Sequence, residues 1–348
     1  MRLALALLLA SLLLASCSSA GNSANPTLSP SAAGAPLAFT KQWKLGPVED
    51  MAVSPVAVYA VYTPASIQGA LAQVTDNRLA RIDRVSGAMI TAGPFPYAVR
   101  VAVAGDMVWM GAGNQYPATP FPGSSTVTAV DATTLRVLLQ LSFPGPAQAA
   151  VGNVAGDSEA LWLGYGTRLY RLSAKDGRML GSEDLGGIAS SIALDPSGLH
   201  VYLGSVAIGD TGAAVTEFDP ATLQPQVSSS TGGAGLGGPH VAAGANDVWI
   251  SYATGMLGEV EHRKASDLTQ IPVAAAQHTN GVSVFAVAGT VWVSDSMAGR
   301  LMCLDPQTGA VRAAWDTQTG GVVAGDGSGL YFGDINGVEA LRPDARCH

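Results

Sequence analysis

Short stretches in which hydrophobic and polar residues alternate recur along the chain after about residue 37, each around one aromatic residue. A turn containing Gly or Asp precedes the aromatic stretch, and a second alternating stretch that ends in Asp and a turn follows it. Seven copies fit, with the aromatic at Tyr59, Trp109, Trp162, Tyr202, Trp249, Trp292 and Tyr331. Successive aromatics are between 39 residues (292 to 331) and 53 residues (109 to 162) apart. A period in this range predicts a repeat architecture, either a propeller or a solenoid.

The composition of each copy favours the propeller, because each reads as four short β-strands, which we label A to D. Strand A is small and apolar, strand B carries the aromatic, strand C ends in the turn, and strand D is the outer edge. In four copies the turn begins with Asp, at Asp83, Asp131, Asp219 and Asp305. In the other three copies this position holds Ser173, Arg263 or Arg342. No stretch of useful length has a helical period, which excludes a helical solenoid.

The two ends of the repeat array complement each other. The last copy stops at Cys347 after its third strand, and a spare strand, Leu37–Gly46, precedes the first copy. Pairing the two would close the ring and remove its exposed edges. The sequence therefore predicts an all-β, seven-bladed β-propeller whose N-terminal strand closes the last blade.

One repeat also resembles a known family. The stretch VWVSDSMAGRLMCLDPQTGAV, Val291–Val311, is similar to the repeat of YVTN-type bacterial propellers and shares its general pattern with NHL and streptogramin-lyase propellers. The resemblance covers the chain from Leu37 onward. It implies the propeller fold without implying one activity, because these relatives include lyases, lactonases and binding scaffolds.

The first residues have the proportions of a secretory signal. Arg2 precedes a short apolar run, and the run ends in Leu14-Ala15-Ser16-Cys17, which resembles the bacterial lipobox. That resemblance implies cleavage before Cys17 and a diacylglycerol on its thiol; the alternative is an ordinary cleaved signal with a bystander cysteine. We therefore divide the chain into a lipoprotein signal peptide (1–16), a lipidated cysteine with an uncharged linker predicted to be flexible (17–36), and the propeller domain (37–348). We expect an exported protein, anchored to the cell membrane or the outer membrane and facing the extracytoplasmic side.

Charge and cysteine content narrow the partners. The formal net charge is −8, and losing Arg2 with the signal leaves 17 basic against 26 acidic residues, or −9. An acidic chain without a Lys or Arg run argues against nucleic acid and against a polybasic membrane patch. Beyond Cys17 only Cys303 and Cys347 remain, near the third-strand ends of neighbouring blades, so we predict a disulfide between them. We expect a monomer.

Strand direction assigns the loops to two faces. We call the face with the B–C and D–A loops the top face and the face with the A–B and C–D turns the bottom face. The long insertions Thr63–Asn77, Gly111–Ser125 and Ser205–Ala213 are all B–C loops, so the top face is the predicted binding face. Residues just before each strand A are expected to ring a central funnel there and to bind the ligand: Glu49, Asp50, Tyr97, Arg100, Gln148, His240, His278 and Asn280. Because the spare strand runs from bottom to top, the linker should enter at the bottom, with the funnel facing away from the membrane.

Two functions remain open at this point. The first is a non-enzymatic binding or scaffold module for a protein, glycan or small ligand, which needs only the top face. The second is a metal-assisted lyase or lactonase working in the funnel, because GGPHVAAG around His240 resembles a segment of streptogramin-lyase repeats, in which a His acts with a Glu and a divalent metal. Here that phrase occurs once, Val241 replaces the Gly, and no acid follows Trp249. We favour the binding module and assign no catalytic residue; we predict no metal ligand and no firm cofactor, with a divalent cation on Glu49 and Asp50 as the alternative.

Overall fold

The computed structural model describes residues 38–64, 76–113, 125–143, 153–198, 200–207, 212–232, 238–274, 278–279, 281–317, 319–342 and 344–347. These residues form seven antiparallel β-sheets with the strand order A, B, C, D; six consist of strands consecutive along the chain, and the seventh takes its D strand from the N-terminal end. The A strands contact one another in sequence around the centre, and the A strand of the last sheet contacts that of the first. The prediction of an all-β, seven-bladed propeller is therefore confirmed.

The strands are numbered in chain order after β1 (Phe39–Lys44), and the first three blades hold β2 to β13. Blade one consists of β2 (Val48–Val53), β3 (Ala57–Tyr62), β4 (Arg78–Asp83) and β5 (Met89–Ala92). Blade two consists of β6 (Ala98–Ala104), β7 (Met107–Ala112), β8 (Ser125–Asp131) and β9 (Val137–Phe143). Blade three consists of β10 (Asn153–Gly156), β11 (Ala160–Tyr165), β12 (Arg168–Ser173) and β13 (Met179–Asp184).

The remaining four blades differ mainly at their outer strands. Blade four consists of β14 (Gly187–Leu194), β15 (Val201–Ala207), β16 (Ala213–Phe218) and β17 (Pro225–Thr231). Blade five consists of β18 (His240–Ala243), β19 (Asp247–Thr254), β20 (Leu257–Lys264) and β21 (Gln270–Ile271), with the short β22 (His278–Thr279) also paired to β20. Blade six consists of β23 (Val282–Val287), β24 (Thr290–Asp295), β25 (Arg300–Leu304) and β26 (Val311–Asp316). Blade seven consists of β27 (Val322–Asp326), β28 (Gly329–Asp334), β29 (Gly337–Leu341) and β1, and a single 3-10 turn, Ala345–Cys347, follows it.

The N-terminal strand closes the ring as predicted. β1 pairs antiparallel with β29, placing Trp43 opposite Val338 and Phe39 opposite Leu341. The indole Nε1 of Trp43 donates a hydrogen bond of 2.9 Å to the carbonyl of Gly87 in blade one, which ties the last blade to the first. Because β29 ends at the bottom face, β1 begins there, so the described part of the chain starts at the bottom face.

The core lies between the blades rather than within one central layer. Each strand-B aromatic is almost fully buried and packs against the following blade; Trp109, for example, contacts Leu161 and Leu163 of blade three. Tyr331 does the same across the ring closure, where it packs against Val58 of blade one. Burying an aromatic side chain stabilises a fold by about 2–3 kcal/mol, so seven such contacts account for much of the cohesion of the ring.

The turns between strands C and D show one feature that the sequence pattern did not predict. Their fifth position has a positive φ, which favours Gly, and Gly87, Gly177 and Gly309 occupy it in three blades. In three other blades a leucine adopts the same conformation, at Leu135, Leu223 and Leu268. In blade five the turn begins at Lys264, whose carbonyl accepts the hydrogen bond from Leu268, which corrects the expectation that Arg263 holds this position. All three leucine side chains are buried between blades, so apolar burial offsets the cost of the left-handed backbone.

The predicted disulfide is present. Cys303 in β25 is bonded to Cys347 in the 3-10 turn, with the Cα atoms 5.8 Å apart, and both residues are buried beside Trp292 and Trp315. The bond fixes the end of the chain to blade six at the bottom face. Within the described ranges, no helix has the length and apolar character needed to cross a membrane.

Candidate functional site

A cavity of about 310 Å³ lies at the centre of the ring where the seven A strands begin, and therefore on the top face. Each blade contributes one residue to a first tier of its lining: Asp50, Arg100, Asn153, Ser191, His240, Ser283 and Gly321. The apolar part of the lining comes from Met51, Val101, Val154, Ile192, Val241, Phe285, Val322 and Val323. This size, with a few polar groups among apolar ones, suits a small ligand or one protruding group of a larger partner.

Asp50 uses both carboxylate oxygens inside the scaffold. Oδ1 accepts a hydrogen bond from the backbone N–H of Met51, and Oδ2 accepts one from the N–H of Val101 in blade two, each at 2.9 Å. Burial raises the pKa of this carboxyl, an effect that Arg100 and the two backbone hydrogen bonds oppose. Solvent reaches Asp50 through the cavity, but the strands of two blades surround its carboxylate and disfavour its charged form. Asp50 therefore joins blades one and two.

Arg100 joins blade two to blade three through its side chain. Its Nε donates to Oδ1 of Asn153 in blade three at 3.3 Å, and its Nη1 donates to the carbonyl of Val99 at 3.1 Å. Both acceptors are uncharged. In the part of the chain that the structure describes, no carboxylate lies within 4 Å of this guanidinium.

His240 lies in the wall of blade five. Burial lowers its pKa to about 4, with a further lowering from the charge of Arg100 and an opposing contribution from the backbone of Val284. The imidazole is consequently neutral near pH 7. Its Nδ1 is buried and has no hydrogen-bond partner among the described residues, and its ring meets Phe285 at an angle of 60°, with centroids 5.4 Å apart.

Glu49 also lines the cavity, beside Asp50, and accepts a long hydrogen bond of 3.4 Å from the hydroxyl of Thr63. Metal binding by this pair would need further ligands. Across the described ranges, no group of three or more His, Cys, Asp and Glu side chains is placed to hold a metal ion. Among the described lining residues, Glu49 and Asp50 are the acidic ones, and both oxygens of Asp50 already accept backbone hydrogen bonds.

Two of the predicted residues lie elsewhere, which corrects the expectation that they ring the funnel. Tyr97 has a positive φ of 64° and faces a groove of about 430 Å³ along blade two, because the backbone bulges between Ala98 and Arg100 as β6 begins. His278 is buried between blades five and six in a cavity of about 220 Å³. It lies there because β22 pairs with β20 before the chain turns into β23.

Several predicted features fall outside the described residues. Gln148 and Asn280 are among them, as is Cys17. So are the central portions of the three long B–C loops, at residues 65–75, 114–124 and 208–211. Their predicted roles therefore remain predictions.

Three polar lining residues were missed by the sequence reasoning: Asn153, Ser191 and Ser283. Aligning the strand-A segments on their apolar core would have found them, because each stands where Asp50 and Arg100 stand in their own blades. Ser191 is structural, since its hydroxyl donates to the carbonyl of Pro239 at 2.8 Å and accepts from the N–H of Val241 at 2.9 Å.

The top face also carries exposed apolar side chains outside the cavity. They lie at the tips of the B–C turns of blades five, six and seven: Met256, Leu257, Met297 and Ile335, between 43% and 74% exposed. Bottom-face turns also carry exposed apolar side chains, at Val56 and Val85, but here they recur on three consecutive blades around the cavity mouth. We call these four residues the apolar rim.

The bottom face has a different character. Carboxylates at the C–D turns bind their own turns; Asp131, for example, accepts hydrogen bonds from the N–H groups of Thr133 and Thr134 at 3.0 and 2.7 Å. A wide depression of about 700 Å³ lies at the ends of the A strands of blades four to seven. Its two carboxylates are already paired, Asp247 with His262 and Asp326 with Arg84. The bottom face therefore offers fewer uncommitted polar groups than the top cavity.

Comparison with known proteins places the chain by its fold. No family model matches it, and no curated protein matches it. It is similar to the structure of BamB from Moraxella catarrhalis, with a TM-score of 0.56 and 14% identity over 84% of each chain. It is also similar to a chain in the structure of a mitotic checkpoint complex, with a TM-score of 0.64 and 11% identity over 89% of this chain and 96% of that one. At such identities the likeness shows the fold alone.

Proposed function

We propose that this protein is a membrane-anchored extracytoplasmic binding module that captures a partner through its top face. The observation that carries the proposal is the central cavity, which Arg100 and His240 line beside apolar residues, and in which the guanidinium of Arg100 keeps N–H groups that the described scaffold does not use. Rigid strands present these groups, so little ordering is needed on binding, which favours affinity.

The apolar rim supports a protein as the partner. Met256 and Met297 are 74% and 62% exposed on the face onto which the cavity opens, and flexible methionines adapt well to a protein surface. The chain in the mitotic checkpoint complex is part of a protein assembly, and its fold resembles this one. A partner that covers the rim could insert one group into the cavity.

Export and anchoring complete the proposal. The lipobox resemblance at Leu14–Cys17 supports a lipid on Cys17, and the first described residue, Ala38, lies at the bottom face, where it accepts a hydrogen bond from the N–H of Arg342. A linker that enters there leaves the top face directed away from the membrane. Membership of the YVTN-type propellers belongs to the same proposal and is supported by the repeat at Val291–Val311.

Two measurements test anchoring. Cells fed labelled palmitate should incorporate the label into the wild-type protein, and Cys17→Ala should remove both the label and membrane association. Cys303→Ala serves as the control, because a disulfide cysteine is not a lipid acceptor. Label that persists in Cys17→Ala would contradict the assignment of the anchor.

Capture from the envelope fraction of the producing cells tests the binding face. We expect Met256→Glu with Met297→Glu, or Arg100→Glu, to reduce capture of the co-purifying protein at least tenfold. The matched controls, Val56→Glu and Val85→Glu, change side chains 58% and 89% exposed on bottom-face turns and should leave capture unchanged. Loss of capture in the bottom-face variants alone, in protein with an unchanged circular dichroism spectrum, would overturn the proposal.

A further inference from the structure

The guanidinium of Arg100 has hydrogen-bonding capacity that the scaffold leaves unused. An arginine side chain has five N–H donors, and the acceptors in the structure are the oxygen of Asn153 and the carbonyl of Val99. Some of the other described arginines are neutralised by a carboxylate; Arg84, for example, pairs with Asp326, and Arg263 pairs with Glu261. Within the described ranges Arg100 has no such partner, although it lines the central cavity.

The charges near Arg100 limit which anion could bind. Asp50 and Glu49 lie in the same lining, so a dianion would meet repulsion from blade one. The carboxylate of Asp50 is less repulsive than a free one, because both of its oxygens accept backbone hydrogen bonds. The charges of the lining therefore favour a ligand with a single negative charge.

Blades five and six contribute the aromatic and imidazole side chains of the cavity wall. Phe285 and His240 both line the cavity with their rings in contact, and the buried Nδ1 of His240 has no partner among the described residues. A neutral imidazole nitrogen pairs with a hydroxyl or an amide, and the aromatic ring accommodates the carbon skeleton that carries it.

We propose that the cavity recognises the carboxylate of a small monoanionic organic acid, held by the planar fork of Arg100, with a hydroxyl or amide of the same molecule directed to His240. The inference rests on the proposed function, because it assigns a ligand class to the same cavity. A guanidinium matches a carboxylate in shape and donates two parallel hydrogen bonds to it. About 310 Å³ lies at the lower end of the range for ligand cavities, which suits one sugar ring or one terminal residue of a peptide.

Two acids with neutral counterparts serve as probes. Glucuronate is compared with glucose, and N-acetylglycine with N-acetylglycinamide, so that each pair differs in the negative charge. Binding is followed through the Nε–H signal of Arg100 in a ¹H–¹⁵N spectrum, assigned by its absence in Arg100→Gln. We expect a saturable shift with at least one acid below about 20 mM and none with the neutral counterparts, since one such site gives millimolar affinity.

Variants of Arg100 separate the effect of its positive charge from the effect of its planar guanidinium geometry. With binding followed through the backbone N–H signal of Val101, which all the variants keep, Arg100→Gln should lower the affinity for the responding acid at least tenfold, and Arg100→Lys should lower it less while keeping the preference for the acid. Arg136→Gln, exposed in the C–D turn of the same blade, should leave the affinity unchanged. If Arg100→Gln fails to fold, the inference is still tested by the Nε–H signal of the wild-type protein and by the affinity of Arg100→Lys for the acid.

The outcomes distinguish the source of the carboxylate. A response to glucuronate alone supports a sugar acid, and a response to N-acetylglycine alone supports a peptide terminus. Neutral counterparts that shift the signal equally, or acids that leave it unmoved, overturn the inference. If protein capture through the top face persists in that case, the proposed function stands and only its ligand class fails.

Discussion

Arg84 and Asp326 form an ion pair across the junction between the first and last blades. Nη1 of Arg84 lies 2.5 Å from Oδ2 of Asp326, and Nη2 donates to Oδ1 at 2.7 Å. The same guanidinium donates to the carbonyl of Ser54 and to the hydroxyl of Tyr331. Arg84 holds the pKa of Asp326 well below its usual range. The junction where the ring closes therefore has a dense polar contact as well as strand pairing.

This contact predicts a loss of stability when it is removed. Arg84→Met should lower the free energy of unfolding by about 2 kcal/mol, because the side chain of Arg84 is only 7% exposed and its partners lose charge-assisted hydrogen bonds. Arg300→Met is the control, since its pair with Asp316 is 3.7 Å long with side chains 44% and 96% exposed, and it should cost less than about 0.5 kcal/mol. Denaturant unfolding measures both, and equal effects would contradict the role given to Arg84.

The disulfide predicts a dependence of stability on the redox state. Cys303 and Cys347 are separated by 44 residues, and opening a loop of this length costs up to about 4 kcal/mol in the chain-entropy model. A reductant should lower the denaturation midpoint of the wild-type protein. The double variant Cys303→Ala with Cys347→Ala should start from the lower midpoint and not respond to the reductant. A variant as stable as the oxidised wild type would show that packing alone holds the C-terminus.

Glu339 predicts a pH dependence at the closing strand. It is 7% exposed, and Nε2 of Gln42 in β1 donates to its Oε1 at 2.5 Å. Burial, with the nearby charge of Asp334, raises the pKa of Glu339 to about 7, against 4.5 for an ordinary glutamate. Because the folded-state pKa is the higher one, the stabilising contribution is complete below pH 4.5 and is lost as the pH rises through about 7.

Substitution of Glu339 tests this dependence. Glu339→Gln should be about 1–2 kcal/mol more stable than the wild type near pH 8 and equal to it near pH 4, because the amide stays neutral throughout. Glu183→Gln, on the outer strand of blade three, is the matched control and should not change the pH profile. A wild-type profile that stays parallel to that of Glu339→Gln from pH 4 to 8 would show that Glu339 ionises normally.

The bottom-face carboxylates are expected to serve stability and not binding. Asp131→Ala should lower the melting temperature by a few degrees, because its turn loses hydrogen bonds to the N–H groups of Thr133 and Thr134. Asp316→Ala, which removes a carboxylate 96% exposed, should not change it. Thermal unfolding and partner capture are measured on the same preparations, and reduced capture by folded Asp131→Ala would argue against a purely structural role.

The fold was predictable because its determinants repeat. An aromatic such as Trp109 fills the gap between blades in every copy, and the spare strand before Val48 has no other place to pair. The turns were only partly predictable. Leu135 occupies a position that favours Gly, and only the three-dimensional packing shows why it is tolerated.

The site was less predictable, because small backbone irregularities decide which side chains reach the centre. A bulge at the start of β6 directs Arg100 to the cavity and Tyr97 away from it. The pairing of β22 with β20 keeps His278 out of the central cavity. Asn153 was missed because the start of β10 cannot be placed from the length of the connection that precedes it.

Site-specific photo-crosslinking tests the central claim, that partners bind the top face, most directly. A photoreactive amino acid is placed at Met256 or Met297 on the apolar rim, or at Val56 or Val85 on bottom-face turns, and the cells are irradiated; all four side chains are more than half exposed. We predict that a protein adduct forms from Met256 and Met297 and is absent from Val56 and Val85. Adducts that form from Val56 and Val85 but not from the rim would contradict the account.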